Sequence, residues 1–160
     1  MRLVVSDANI LIDFIDGGLS FALSCLPYEI VVPEIIFEEE LEARHSELLN
    51  LGIIIESSSE EVTLVVTHLT RKYPRISRND AFALALAKEK RCILLTGDKN
   101  LRIAANESDV EVHGTLYMLE ELRSKGTIGE VESYEAIELM RARGRRLPWN
   151  LVERNIKFRQ

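Results

Sequence analysis

The 160-residue chain lacks most of the signatures by which small proteins are sorted. Cysteine occurs twice, at Cys25 and Cys92, far apart and in no C-x-x-C pair, which excludes a disulfide scaffold and a thiolate zinc finger. Both fall in segments patterned as buried helix and buried strand, so they are expected to be reduced core thiols, as in a cytoplasmic protein. Histidine is confined to His45, His68 and His113, scattered singly, and zinc finds no ligand spacing. GxxxxGK, GxGxxG and a Ser-His-Asp triad are absent, which removes the phosphate-cradling loops and the acyl-transfer nucleophiles. No apolar run is long enough to span a bilayer, and Asp7 breaks the opening run Leu3-Val4-Val5 too early for a signal-peptide core. The chain is expected to start near Met1 and to act in the cytoplasm, away from membranes. Glutamine occurs once, at Gln160, beside abundant Glu, Lys and Arg, a balance that leans toward thermostable proteins.

What is present suits one domain with a sizeable core: 46% of residues are hydrophobic and 29% charged. The net charge of −6 is unevenly spread. Arg141, Arg143, Arg145, Arg146, Arg154, Lys157 and Arg159 face a single acid, Glu153, after residue 140, so about +6 there leaves about −12 upstream. Such a basic segment has three candidate contacts, namely phosphate, an acidic partner, or the acidic body itself.

Strand-like runs alternate with helical patterns. Leu3 to Ser6, Glu29 to Val32, Ile53 to Ile55, Cys92 to Leu95 and Val110 to Val112 read as strands. Helices are expected from Asp7 to Ile15, about Leu19 to Leu26, after Pro33, over Val62 to Tyr73, from Arg78, over Leu101 to Glu107 and over Leu116 to Lys125. This alternation predicts an α/β fold, a three-layer α/β/α sandwich around a central parallel sheet, spanning 1–129. Two further helices, Ser133 to Arg143 and Pro148 to Lys157, are expected to form a C-terminal helical extension over 130–160, too small to stand as a domain.

Three acids stand where a strand gives way to a helix or a helix begins: Asp7, Asp80 and Asp98. Taken singly, each reads as a helix cap, because orphan N–H groups and the helix dipole favour Asp there. In a parallel sheet, however, acids beyond strand carboxyl ends meet in the crevice where ligands bind. Ala83 and Ala87 let their helix lie close to the sheet and carry Asp80 to the same rim. Crowded carboxylates repel unless protons or cations intervene, and a hard divalent ion with oxygen ligands, Mg²⁺ or Mn²⁺, answers that need. A fourth acid is available in Glu38-Glu39-Glu40. Three consecutive helical positions span about 200°, so one of them faces inward, and helical phase brings Glu40 closest to Ile36 and Phe37.

These residues resemble the PIN-domain nuclease family, which includes the toxin ribonucleases of VapBC-type pairs. The matching pieces are Ser6-Asp7-Ala8-Asn9, Val32-Pro33 before a Glu-bearing helix, the run Asn79 to Ala87, and the run Leu95 to Arg102. They cover about the first 115 residues in the family's order. The resemblance implies an acidic site of Asp7, Glu39, Asp80 and Asp98, with the metal on Asp7, Asp80 and Asp98. Glu39 is assigned because relatives place the Glu six residues after a Pro or Ser, here Pro33. Thr96 would be a supporting hydroxyl and Asn9 a polar neighbour, while Asn100 replaces a further acid that some relatives carry. The implied activity is Mg²⁺- or Mn²⁺-dependent endonucleolytic cleavage of RNA, with an antitoxin partner and a homodimer. Lys99 and Arg102 are candidates for substrate phosphates, or are plain solvent-facing helix charges. The rival readings are a catalytically silent PIN-like regulatory or scaffolding module and an RNA-maturation nuclease.

Overall fold

The computed structural model describes residues 2–152. Five strands, β1 (Arg2–Ser6), β2 (Tyr28–Pro33), β3 (Ile54–Glu56), β4 (Ile93–Leu95) and β5 (Val112–His113), form one parallel sheet ordered β3-β2-β1-β4-β5. β1 is central, the chain winds outward through β2 and β3, and it then returns to the other side of β1 for β4 and β5. That reversal makes the carboxyl ends of β1 and β4 the topological switch point, the place where open α/β sheets bind ligands. Val4, Val5, Val31, Val32 and Leu94 are nearly inaccessible, as expected of strands covered on both faces. Burying each of these contributes about 1.5–3 kcal/mol.

The covering helices are α1 (Ala8–Asp16), α2 (Glu34–Ile36), α3 (Glu42–His45), α4 (Glu60–Lys72), α5 (Arg78–Lys90), α6 (Lys99–Glu107), α7 (Thr115–Ser124) and α8 (Glu130–Ala142). Together with the sheet they give the three-layer α/β/α sandwich. α5 is buried along Ala81 to Ala87 without a break, so its residues pack on the sheet and on neighbouring helices at once. Running antiparallel to β4, it presents its N-terminus at the strands' carboxyl ends. Ser77 caps that N-terminus and Asp80 returns the bond to the Ser77 N–H, a reciprocal capping box.

Three local expectations are corrected. The Leu19 to Leu26 segment is a 3₁₀ turn over Ser20–Cys25, because Leu26 must be extended before Pro27 and little room remains for α-helical bonds. Both cysteines are free thiols, but Cys25 is exposed and stands outside the core, whereas Cys92, just ahead of β4, is half-buried and packs against it. Between α2 and α3 the helix widens into a π-turn over Phe37–Leu41, closed by the Glu42 N–H donating to the Phe37 carbonyl. The helix proposed from Pro148 is helical over 149–152, and its remainder lies outside the described residues, with Arg154, Lys157 and Arg159.

α8 packs on α1 where Gly17 ends that helix. A Cβ on Gly17 would stand 2.7 Å from the Cε of the fully buried Met140. A side chain at position 17 would therefore force Met140 to move and crowd the Ala136 carbonyl of α8 at 3.3 Å.

Candidate active site

Asp7 leaves β1 one step beyond the last paired residue, Ser6, and Thr96 leaves β4 one step beyond Leu95. The register therefore sets the two side by side. The Thr96 hydroxyl donates to Asp7 Oδ2 at 2.5 Å, and the Ile10 N–H donates to Oδ1 at 3.0 Å. Thr96 Oγ1 also accepts from the Asp98 N–H at 3.1 Å, so one hydroxyl ties together the two acids that follow the two strands. Asp98 caps α6 through Oδ1, which accepts from Leu101 N–H at 2.8 Å. Asp80 enters from the start of α5. The cap and the site reading hold together, since each Asp spends one oxygen on a helix N–H. Oδ1 of Asp80 and Oδ2 of Asp98 have no hydrogen-bond partner among the described residues.

The Glu run contributes two side chains. Asn79 Nδ2 donates to Glu39 Oε2 at 3.0 Å and to Glu40 Oε2 at 3.1 Å, gathering both beside the acid that follows Asn79 in the chain. An α-helix would splay consecutive side chains apart, and the extra residue of the π-turn changes that phase. Glu38 takes no part in this bond.

Electrostatics join the group. Asp7 is 4% exposed, and burial pushes its carboxyl up to about 7, against the lowering effect of the Thr96 and Ile10 bonds. The negative charge of Asp80 adds to the rise. Asp80 is itself raised, first by burial and then by Asp98. Glu40 is raised by burial, with Asp80 and Glu39 adding. Asp80 is thus the centre on which the fields of Asp7, Asp98 and Glu40 overlap, and no cation of the described chain is paired with any of them. As the side chains stand, no three Asp, Glu, His or Cys groups among the described residues close around a single ion position. The donor chemistry still fits a hard divalent cation, because it is all oxygen, mutually repelling, and keeps unused carboxylate oxygens.

The other expected residues are placed as follows. Lys99 is exposed in the first turn of α6, beside Asp98. Arg102 is half-buried and its Nη2 donates to the Thr96 carbonyl at 3.2 Å, backed by Gly114, where a Cβ would come within 3.3 Å of the same nitrogen. Asn9, exposed in the first turn of α1, is bound by Arg145. Nη2 of that arginine donates to the Asn9 carbonyl at 3.2 Å and to Oδ1 at 3.0 Å. Sequence reasoning missed this arginine's role and its other partner, Asp13, which accepts from Arg145 Nε at 2.6 Å and from the Thr115 hydroxyl at 2.7 Å. The signal was an acid embedded in the apolar face of Ile10, Leu11 and Phe14, a position that demands a cation. The described part of the basic segment after residue 140 accordingly contacts the acidic body through Arg145 and through Arg143, which reaches Asp16 at 3.6 Å, while Arg141 stacks on Trp149 within the segment itself. A cavity of about 540 Å³ lies at the other end of the sheet, between Arg2, Lys88, Arg91 and Glu111, and shares no residue with the acids.

Acids from β1, α5 and the turn after β4 thus converge at the switch point of a parallel sheet, the crevice in which open α/β proteins bind their ligands. A family model, DUF3368, described as a PIN domain, matches residues 3–159, and the chain belongs to the PIN-domain family, a family of nucleases. In fold it is similar to a PilT N-terminus domain protein from the archaeon Sulfolobus solfataricus, at 18% identity and a TM-score of 0.54 over 77% of this chain and 95% of that one. It is also similar to VapBC-1 from nontypeable Haemophilus influenzae (16%, TM-score 0.56, 72% and 99%) and to FitAcB from Neisseria gonorrhoeae (18%, 0.52, 71% and 99%). Comparison with curated protein sequences gives no match. Among the described residues no helix is long and apolar enough to cross a membrane.

Proposed function

We propose that this protein is a divalent-metal-dependent endoribonuclease. The observation that carries the reading is Asp7, a buried carboxylate that no cation among the described residues neutralises, with Asp80 acting on it directly and Asp98 and Glu40 acting in turn on Asp80. Asp7, Asp80 and Asp98 would hold Mg²⁺ or Mn²⁺. When bound, the ion supplies a Lewis acid at the phosphodiester and lowers the pKa of water beside it. The chain's own residues do the rest. Thr96 fixes the Asp7 carboxylate and the turn bearing Asp98, and Asn79 holds the Glu39–Glu40 pair at the rim. Glu40, raised by burial, is the carboxylate of that pair best suited to take a proton from the attacking water. Water adds at phosphorus as its proton passes to Glu40, the P–O3′ bond breaks, the departing oxygen takes a proton from solvent, and the products are a 5′ phosphate and a 3′ hydroxyl. Lys99 is exposed at the same rim, and a phosphate there would find its charge unpaired. An acidic mouth does not attract RNA unaided, so substrate affinity must come from cations around it or from a second subunit.

The likeness to VapBC-1 and FitAcB supports work beside a small antitoxin partner, and a homodimer is the expected assembly. Single-stranded RNA incubated with Mn²⁺ tests the enzyme directly. The wild type cleaves and Asp80→Asn, folded, does not; equal rates would sink the mechanism.

A further inference from the structure

Arg145 lies beyond α8, yet it reaches back across 136 residues to the first turn of α1, two positions after Asp7. The anchoring is firm. Asp13, 5% exposed, holds Arg145 Nε at 2.6 Å while the Thr115 hydroxyl holds the other Asp13 oxygen, so the guanidinium plane is fixed from the buried side. Nη2 then has two acceptors, both on Asn9.

A guanidinium has only donors, so the Asn9 atom it touches at 3.0 Å must be the amide oxygen. That assignment settles the flip of the amide, and the two Nδ2 hydrogens are left without a partner among the described residues. Asn9 is exposed at the mouth where β1 meets α1. Without Arg145 the amide would turn freely, presenting acceptor as often as donor to an incoming phosphate. An acceptor there would add to the repulsion of an already acidic mouth.

We propose that Arg145 is a positioning residue that locks the Asn9 amide so that its Nδ2 donates to an RNA backbone oxygen next to the cleaved bond. The C-terminal segment thereby completes the substrate edge of the site. This rests on the ribonuclease reading above and adds a substrate contact to it.

The test compares wild type, Asn9→Ala, Arg145→Ala, Arg145→Lys and the Asn9→Ala/Arg145→Ala double variant. Single-turnover cleavage of a short oligoribonucleotide in Mn²⁺ is measured with RNA affinity by fluorescence anisotropy, and melting temperature is the folding control. Asn9→Ala and Arg145→Ala should each weaken RNA affinity and kcat/KM about tenfold, a typical loss for one hydrogen bond to a charged group. The double variant should be no worse than either single one, and Arg145→Lys, a point charge without the fork, should not restore activity. Asn9→Ala leaves the Asp13 pair intact, so its effect cannot be ascribed to unfolding. Additive losses, full rescue by lysine, or an Asn9→Ala variant with wild-type KM overturns the proposal while the nuclease stands. A wild type that neither binds nor cleaves RNA overturns both.

Discussion

Two buried aspartates, Asp7 at the N-cap of α1 and Asp13 within it, differ in one respect. Asp7 and Asp13 are 4% and 5% exposed, and each accepts a threonine hydroxyl, from Thr96 and Thr115. Asp13 also accepts the Arg145 guanidinium, whereas Asp7 has only an N–H and more acids around it. Burial raises both carboxyls; at Asp13 the arginine opposes the rise, and at Asp7 Asp80 adds to it. Asp13 is a completed structural pair. Asp7 is a half-pair, kept tolerable by a proton or by a cation from outside. One helix thus sets a buried acid paired within the chain beside one that, under the proposed function, is left for a cation.

The largest effect expected from breaking that contrast is on turnover. Asp7→Asn and Asp80→Asn should each lower Mn²⁺-dependent RNA cleavage by about 10³-fold, the scale of losing a principal electrostatic element, measured as initial rates with folded protein. Stability should respond in the opposite sense at the two aspartates. Arg145→Met strands the Asp13 charge, and breaking a buried pair from one side costs about 3 kcal/mol, seen as a lowered urea midpoint.

Asp7→Asn should instead stabilise the metal-free protein by a few kcal/mol. Its sign follows from proton counts. The unfolded Asp ionises near 3.8 and the folded one near 7. Between those values the folded state holds the extra proton, so wild-type stability falls as pH rises from about 4 to about 7 and levels off above. The variant should lose this slope, gaining most at pH 8 in EDTA and little at pH 4. Urea midpoints across that range measure it. The smallest effect belongs to Thr96→Val, which removes the donor to Asp7 and the acceptor for the Asp98 N–H. About tenfold in rate is expected for losing the group that orients a carboxylate proposed to hold the metal, with a stability loss of about 1–3 kcal/mol for the partners left unsatisfied.

Asp7, Asp80 and Asp98 were legible because each sits at a strand-to-helix junction or a helix start, where local signals are strong and parallel topology determines where they meet. The strands and most helices were legible for the same reason. The choice within Glu38, Glu39 and Glu40 was not, since helical phase assumed a regular helix and the π-turn at Phe37–Leu41 brings two of the three to Asn79. Arg145 was seen only as part of a basic segment. Its partners lie more than a hundred residues away, and no periodicity connects positions that meet only through tertiary packing. Cys25 misled because an apolar sequence around a thiol suggested a buried helix, while the 3₁₀ turn before Pro27 turned it outward.

The claim that Asp7 awaits a cation is tested most directly by calorimetric titration of the metal-free protein with MnCl₂ at pH 7, in two buffers of different ionisation enthalpy. A carboxyl titrating near 7 is about half protonated there and must give up that proton to bind metal. Saturable binding is expected, releasing about half a proton per ion at pH 7 and almost none at pH 8.5, and lost in Asp7→Asn. Absence of binding, or binding to Asp7→Asn with the same affinity and proton release, would contradict that claim.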